Sequence, residues 1–303
     1  MPISIIGADE RLARKPKINI ALFGPSGVGK TFQAGTLDPT RTLFVDLEAG
    51  TLTLQSWRGD VLSVREEAAK LGVHPWEFAR ALACLLCGPD PAASPGTAYA
   101  ADMYEQYKSR IGDPSIFDKY DTIFWDSITV GARHCFSWSQ RQPEAFSEKT
   151  GKPDTRGAYG LHGREMVNWL TQIQHIPNKS VVVVGILDVI EDKDIPGRVS
   201  YEPQIDGSKA GRELPGIFDQ VVTLGLFAID PNTNAATLDM KKGTVRAFVC
   251  HQNNGYGVPG KSRAGCLDPL EPPDLGALMR KIATAPRNDA PVLTGPPAAQ
   301  AAA

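Results

Sequence analysis

Residues Gly24, Pro25, Ser26, Gly27, Val28, Gly29, Lys30 and Thr31 spell G-x-x-x-x-G-K-[ST], a spacing suited to holding a polyphosphate. Glycine at these positions lets the backbone curl until successive N–H groups face one point. Lys30 is placed to reach the β- and γ-phosphates, and the Thr31 hydroxyl to reach Mg²⁺. Residues 18–23, just before the loop, are apolar and read as a strand. A helix is expected over 30–37, stopping at Asp38-Pro39, and its N-terminus would add a partial positive charge. A chance glycine-rich turn would not have to sit between such a strand and such a helix.

Chemistry on a bound triphosphate needs two further groups. The metal needs a carboxylate at the tip of a neighbouring strand. Asp126 fits, because β-favouring residues lead into it (Thr122-Ile123-Phe124-Trp125) and Ser127 follows. Attack by water needs a base or orienting group near the γ-phosphate. Glu48 lies just past the short β-rich run over residues 42–47 and is the candidate. Asp46, two residues earlier, points to the same side of an extended chain and is its understudy. With Lys30 these residues read as an ATP·Mg²⁺ site that hydrolyses its nucleotide.

The elements that must position this site follow from patterning. Helical spacing is seen over 66–87, 99–111 and 161–173, and a closing helix over 275–282. Residues 181–187 form a continuous apolar run typical of a strand covered on both faces, and 220–227 and 244–250 complete the strands. Strands alternating with helices after a phosphate loop imply an α/β fold with a mostly parallel sheet and helices on both faces. One principal domain is expected over 17–284, with an N-terminal extension over 1–16. A disordered Ala/Pro-rich tail is expected over 285–303.

Composition narrows the setting. The 303 residues carry a formal net charge of −2, with 42% hydrophobic and 22% charged residues. That is a globular composition with no global attraction to nucleic acid or anionic membrane. No apolar run approaches the length of a membrane span, the N-terminus lacks the order of a secretory signal, and five cysteines make no disulfide framework. A cytoplasmic location without membrane contact is the expectation.

The order of these parts resembles the RecA-like branch of P-loop ATPases. Glu48 follows the strand after the phosphate loop, and Asp126 is followed by Ser127, as in that branch. Lys261-Ser262-Arg263-Ala264-Gly265 is similar to the Lys-x-Arg-x-Gly element of RadA-type and replicative-helicase ATPases. Over roughly residues 17–283 the chain looks like the phage-encoded, core-only RecA-like ATPases often labelled AAA ATPases, a group that includes single-strand annealing proteins. The resemblance implies that Lys261 and Arg263 reach a neighbouring subunit's ATP site in a ring or filament. It also implies action in phage DNA recombination or single-strand annealing within the host cytoplasm, on single-stranded DNA and beside other DNA-binding or replication proteins. One departure is the absence of the Asn-Gln pair that senses γ-phosphate in recombinases; here residues 181–184 run into Gly185-Ile186-Leu187-Asp188.

Two loops correspond in position to the DNA-binding loops of that branch. The first, over 137–157, mixes Arg141, Lys149, Lys152 and Arg156 with Trp138 and Phe146, a blend suited to phosphate contact and base stacking. Acids dilute it. The second, over 188–213, has more acids than bases, with Lys209 and Arg212 near its end. Other readings stay open: a motor or loader for replication or packaging, a nucleotide-gated DNA-binding module with little turnover, or a small-molecule kinase. Cys84 and Cys87 lie in an apolar stretch with no second pair, so they read as buried packing residues and not as a zinc site.

Overall fold

The computed structural model describes residues 5–191, 199–205, 208–233 and 235–285. Expectations for the ends of the chain beyond these bounds, including nearly all of the Ala/Pro-rich tail, lie outside the described residues.

A sheet ordered β11-β9-β7-β1-β5-β4-β2-β3 organises the molecule. Its parallel centre comprises β1 (Asn19–Gly24), β2 (Thr42–Asp46), β3 (Asp60–Ser63), β4 (Thr122–Asp126), β5 (Ser180–Glu191) and β7 (Gln220–Ile229). Every residue of β1, β2 and β4 is buried, because both faces of these strands are covered. Side chains alternate between two cores. Ala21, Phe23, Val45, Trp125, Val181 and Val183 face one layer, and Ile20, Leu22, Phe44, Phe124, Val182 and Val184 the other.

The first layer holds α2 (Val64–Leu71), α3 (Pro75–Cys87), α4 (Ala101–Ile111), α5 (Ile128–Ser139), α6 (Thr155–Gln174) and α7 (Ser208–Ile217). On the second face α8 (Leu275–Thr284) packs with the turn after β1. A short N-terminal helix, α1 (Ala8–Ala13), precedes the domain. The edge is built from antiparallel additions. β8 (Ala236–Leu238), β9 (Val245–Val249) and β10 (Lys261–Ser262) pair with β7, β11 (Leu270–Glu271) pairs with β9, and β6 (Val199–Pro203) pairs with the end of β5. The α/β expectation holds, with more antiparallel edge than patterning suggested.

Several elements differ from the sequence expectation. The segment after the phosphate loop is a 3₁₀ turn over Thr31–Thr36 and not a full α-helix; Gly35 weakens it and Leu37 is already extended. The single helix expected over 66–87 is split. Gly72 (φ 65°) closes α2 by donating to Ala68 O and Ala69 O, and Pro75 opens α3 behind a capping box of His74 and Glu77.

The long loop expected over 137–157 is shorter. α5 occupies residues up to Ser139, and α6 starts at Thr155, capped by Asp154. Likewise 188–213 is mostly ordered as the β5–β6 hairpin and α7, with residues 192–198 and 206–207 outside the described set.

α5 and α6 run antiparallel. Gly131 faces Trp169, the Cys135 thiol is 3.8 Å from His162 O, and the ring of Phe136 stacks on Tyr159 at 4.5 Å. α6 ends where Asn19 Nδ2 and Lys17 Nζ donate to Gln174 O, at the foot of β1. α5 therefore climbs away from the strand tips, and residues 140–154 lie beyond the carboxyl edge of the sheet.

Candidate functional site

The phosphate loop leaves β1 at its carboxyl end, where α/β sheets place their ligands. Gly24 cannot be exchanged there, because an added Cβ would lie 2.6 Å from Leu224 O on β7. Gly27 (φ +77°) and Gly29 (φ +104°) take the left-handed conformations that turn the loop's N–H groups to one side. With only a 3₁₀ turn behind it, this loop owes its pull on anions to those N–H groups and to Lys30 more than to a helix axis. Lys30 is buried, and its Nζ donates to Gly24 O at 3.0 Å and Pro25 O at 2.8 Å. Burial lowers its pKa, while the nearby Asp126 and Glu48 charges oppose that shift.

β5 is inserted between β1 and β4, and Asp126 at the tip of β4 still reaches the loop. Its Oδ2 accepts a 2.6 Å hydrogen bond from Thr31 Oγ1. Desolvation pushes the Asp126 carboxyl up to about 6, helped by the negative charge of Glu48 and opposed by the Thr31 bond. A buried carboxyl under such pressure is suited to a cation. The Asp126–Ser127 peptide is cis.

The turn after β2 holds Glu48. Asp46 Oδ1 accepts from the N–H groups of Glu48 (2.9 Å), Ala49 (2.8 Å) and Gly50 (3.4 Å), so this carboxylate shapes the turn. Its place as understudy to Glu48 gives way to that structural role. Ala49 sits at φ 64°, a conformation that costs a non-glycine residue roughly 1 kcal/mol and is held here by the Asp46 cap. Glu48 itself is exposed, and its Oε1 accepts from Ser127 Oγ at the head of α5. Lys30, Thr31, Glu48 and Asp126 thus converge at one sheet edge.

Lys261 and Arg263 do not join them. β10 pairs with Gln220 and Val221 at the start of β7, the opposite end of the sheet. Lys261 Nζ donates to Phe218 O at 2.8 Å and to Pro215 O at the end of α7. Arg263 pairs with Asp219 Oδ1 at 2.9 Å. Within one chain both are attached to their own fold. Arg141, Lys149 and Lys152 in the α5–α6 connection and Arg156 in the first turn of α6 are exposed and make no ion pair among the described residues. Trp138 lies under Arg80, 4.2 Å from its guanidinium carbon, and packs against the core, so of the two aromatics expected to stack on bases only Phe146 stands out into solvent.

One residue at the site carried no sequence signal. Arg246 on β9 donates from Nε to Val28 O at 2.8 Å, so a strand two places from β1 touches the phosphate loop. A lone arginine alternating through a strand looks like any solvated edge residue. Cys84 is a buried packing residue whose thiol burial raises to about 12, and Cys87 is half-buried one turn further along the same helix. No helix among those residues is long and apolar enough to cross a membrane.

The sequence matches the family described as AAA domain over residues 16–264. No curated protein matches it in sequence. Among solved structures it is similar to the RadB recombinase (14% identity, 78% of this chain and 87% of that one, TM-score 0.27). It is also similar to a type III secretion ATPase of pathogenic bacteria (16% identity, 68% and 52%, TM-score 0.34). A third is a KaiC-like protein from Pyrococcus horikoshii OT3 (14% identity, 76% and 84%, TM-score 0.28). Likenesses this distant carry no functional weight. The phosphate loop, the carboxylates at the strand tips and the family match over most of the chain lead to one statement: the protein belongs to the AAA domain family of P-loop ATPases.

Proposed function

We propose that this ATPase acts on single-stranded DNA, in recombination or strand annealing, as a homo-oligomer whose DNA contact is coupled to nucleotide hydrolysis. One observation carries the reading. The α5–α6 connection with Arg141, Lys149 and Lys152, and the first turn of α6 with Arg156, hold four exposed cations that make no ion pair among the described residues, beyond the same sheet edge as the phosphate loop. Phe146 (41% exposed) and Tyr159 (43% exposed) stand among them, a stacking surface between phosphate-binding cations. α5 joins this surface to the site directly, because its N-cap Ser127 holds Glu48.

In this reading Glu48 orients or deprotonates the attacking water, and release from Ser127 frees its carboxylate to do so. Lys30 exchanges two backbone carbonyls for phosphate oxygens. The Thr31 hydroxyl and the Asp126 carboxylate are hard oxygen donors already 2.6 Å apart, and they would hold Mg²⁺. When bound, that ion would neutralise phosphate charge. Lys261 and Arg263 belong to the proposal as cations offered to a neighbour's site; the Arg263 side chain is 53% exposed despite its pairing with Asp219.

Fluorescence anisotropy with labelled oligo-dT, with and without a non-hydrolysable ATP analogue, tests the reading. Binding that tightens with the analogue is the expected result. Equal binding by a variant with all four loop cations neutralised would reject this surface, and annealing by Lys30→Ala equal to wild type would favour a module with no need of turnover.

A further inference from the structure

The position of Arg246 calls for an account that bracing alone does not give. Only its Nε is committed, to Val28 O; the two terminal nitrogens make no hydrogen bond or ion pair among the described residues. The residue is exposed. No side chain separates it from the loop, since a Cβ built on Gly29 would meet only Arg246 Nε, at 3.8 Å. Gly29 is part of the curl whose N–H groups face a phosphate, so the guanidinium stands beside the anion that the loop is built to hold.

Two further cations lie close in the chain. The turn between β8 and β9 places Lys241 and Lys242, both exposed, a few residues before Arg246; the Asp239 carboxylate caps their N–H groups at 3.0 and 2.8 Å, and their side chains make no ion pair among the described residues. Asp126 and Glu48 lie on the other side of β1, beyond β5. The loop is therefore flanked by carboxylates on the metal side and by cations on the β9 side. A brace would be satisfied by any N–H donor. An arginine offers four more donors in a planar fork that matches a phosphate's oxygens.

We propose that Arg246 is a nucleotide ligand: its free N–H groups bind the phosphates of the nucleotide on the loop of the same chain, opposite the Thr31–Asp126 side. The assignment rests on the nucleotide-binding reading of the loop. Through β9 it makes the antiparallel edge of the sheet, not only its parallel centre, responsive to an occupied site.

The test is equilibrium binding of fluorescent ADP and of a non-hydrolysable ATP analogue, with Mg²⁺, to wild type, Arg246→Ala, Arg246→Gln and Lys30→Ala, each read beside nucleotide-free thermal melting. Arg246→Ala should bind about 10- to 100-fold more weakly and with a shallower dependence on salt, at an unchanged melting temperature. Arg246→Gln, which keeps an N–H for Val28 O but no charge, should bind as weakly as the alanine variant. Wild-type affinity in Arg246→Ala, or full recovery in Arg246→Gln, would overturn the assignment and leave Arg246 a neutral brace. Undiminished binding by Lys30→Ala would instead remove the loop as the nucleotide site, a failure distinct from that of Arg246.

Discussion

The two ends of the sheet treat charge differently. At the amino end, Arg41 and Lys15 pair with Asp121, Arg263 pairs with Asp219, and Lys261 caps the carbonyls at the end of α7. At the carboxyl end, Lys30 and Arg246 rest on loop carbonyls, Asp126 and Glu48 are held by hydroxyls, and the four cations past α5 have no carboxylate partner among the described residues. At the first end Lys15, Arg41 and Arg263 meet a carboxylate of the fold, and Lys261 rests on carbonyls. The second end is where an α/β sheet puts its ligands.

Mutations at the carboxyl end should therefore cost activity and those at the amino end stability. The largest effect is expected for Lys30→Ala, with steady-state ATP turnover falling about 10³-fold or more and nucleotide affinity collapsing with it. Glu48→Gln should lower turnover by about 10²–10⁴-fold while fluorescent-nucleotide affinity stays near wild type; a matching loss of affinity would place Glu48 in binding and not in water activation.

Arg263→Ala sharpens the comparison, since it sits at the stabilising end but is proposed to serve a neighbour. Turnover of the assembled protein should fall about tenfold or more at unchanged nucleotide affinity. Loss of melting temperature alone would confine Arg263 to its own chain. Neutralising Arg141, Lys149, Lys152 and Arg156 together should flatten the salt dependence of oligo-dT binding by about 3 in log–log slope.

The smallest effect belongs to Asp121→Asn. Its partners are exposed, so melting at pH 7 should drop by no more than about 2 °C. Arg41 and Lys15 hold the Asp121 carboxyl below its ordinary range. Its contribution is therefore present above the unfolded-state pKa and lost as pH falls through the folded one, so variant and wild type should converge in acid.

The phosphate site was legible because its chemistry fixes both residue types and spacing: Gly24, Gly29, Lys30 and Thr31 leave little freedom, and Asp126 and Glu48 end apolar strands. What escaped was set by packing. α5 begins Ile128-Thr129-Val130-Gly131, poor helix formers that fold as a helix because Ile128, Ala132 and Cys135 are buried on one side. The first turns of α6 contain Gly157 and Gly160, and Gly157 is needed where the chain passes Glu144 O too closely for any Cβ. The 3₁₀ turn after the phosphate loop and the split at Gly72 were local signals outweighed by a longer helical period. Arg246 was invisible because its meaning comes from β7, which carries β9, lying beside β1, a pairing between distant stretches that no local pattern reports.

Rooting α5 at Ser127 gives the molecule a lever. Twelve helical residues span about 18 Å, so a tilt of about 5° at the root carries the far end roughly 1.6 Å. A displacement smaller than a hydrogen bond at the Glu48 carboxylate would then arrive at Arg141 as a shift large enough to make or lose contact with a phosphate. The rigidity that two packed antiparallel helices supply is what would let so small an event at the strand tips be felt at the outer surface.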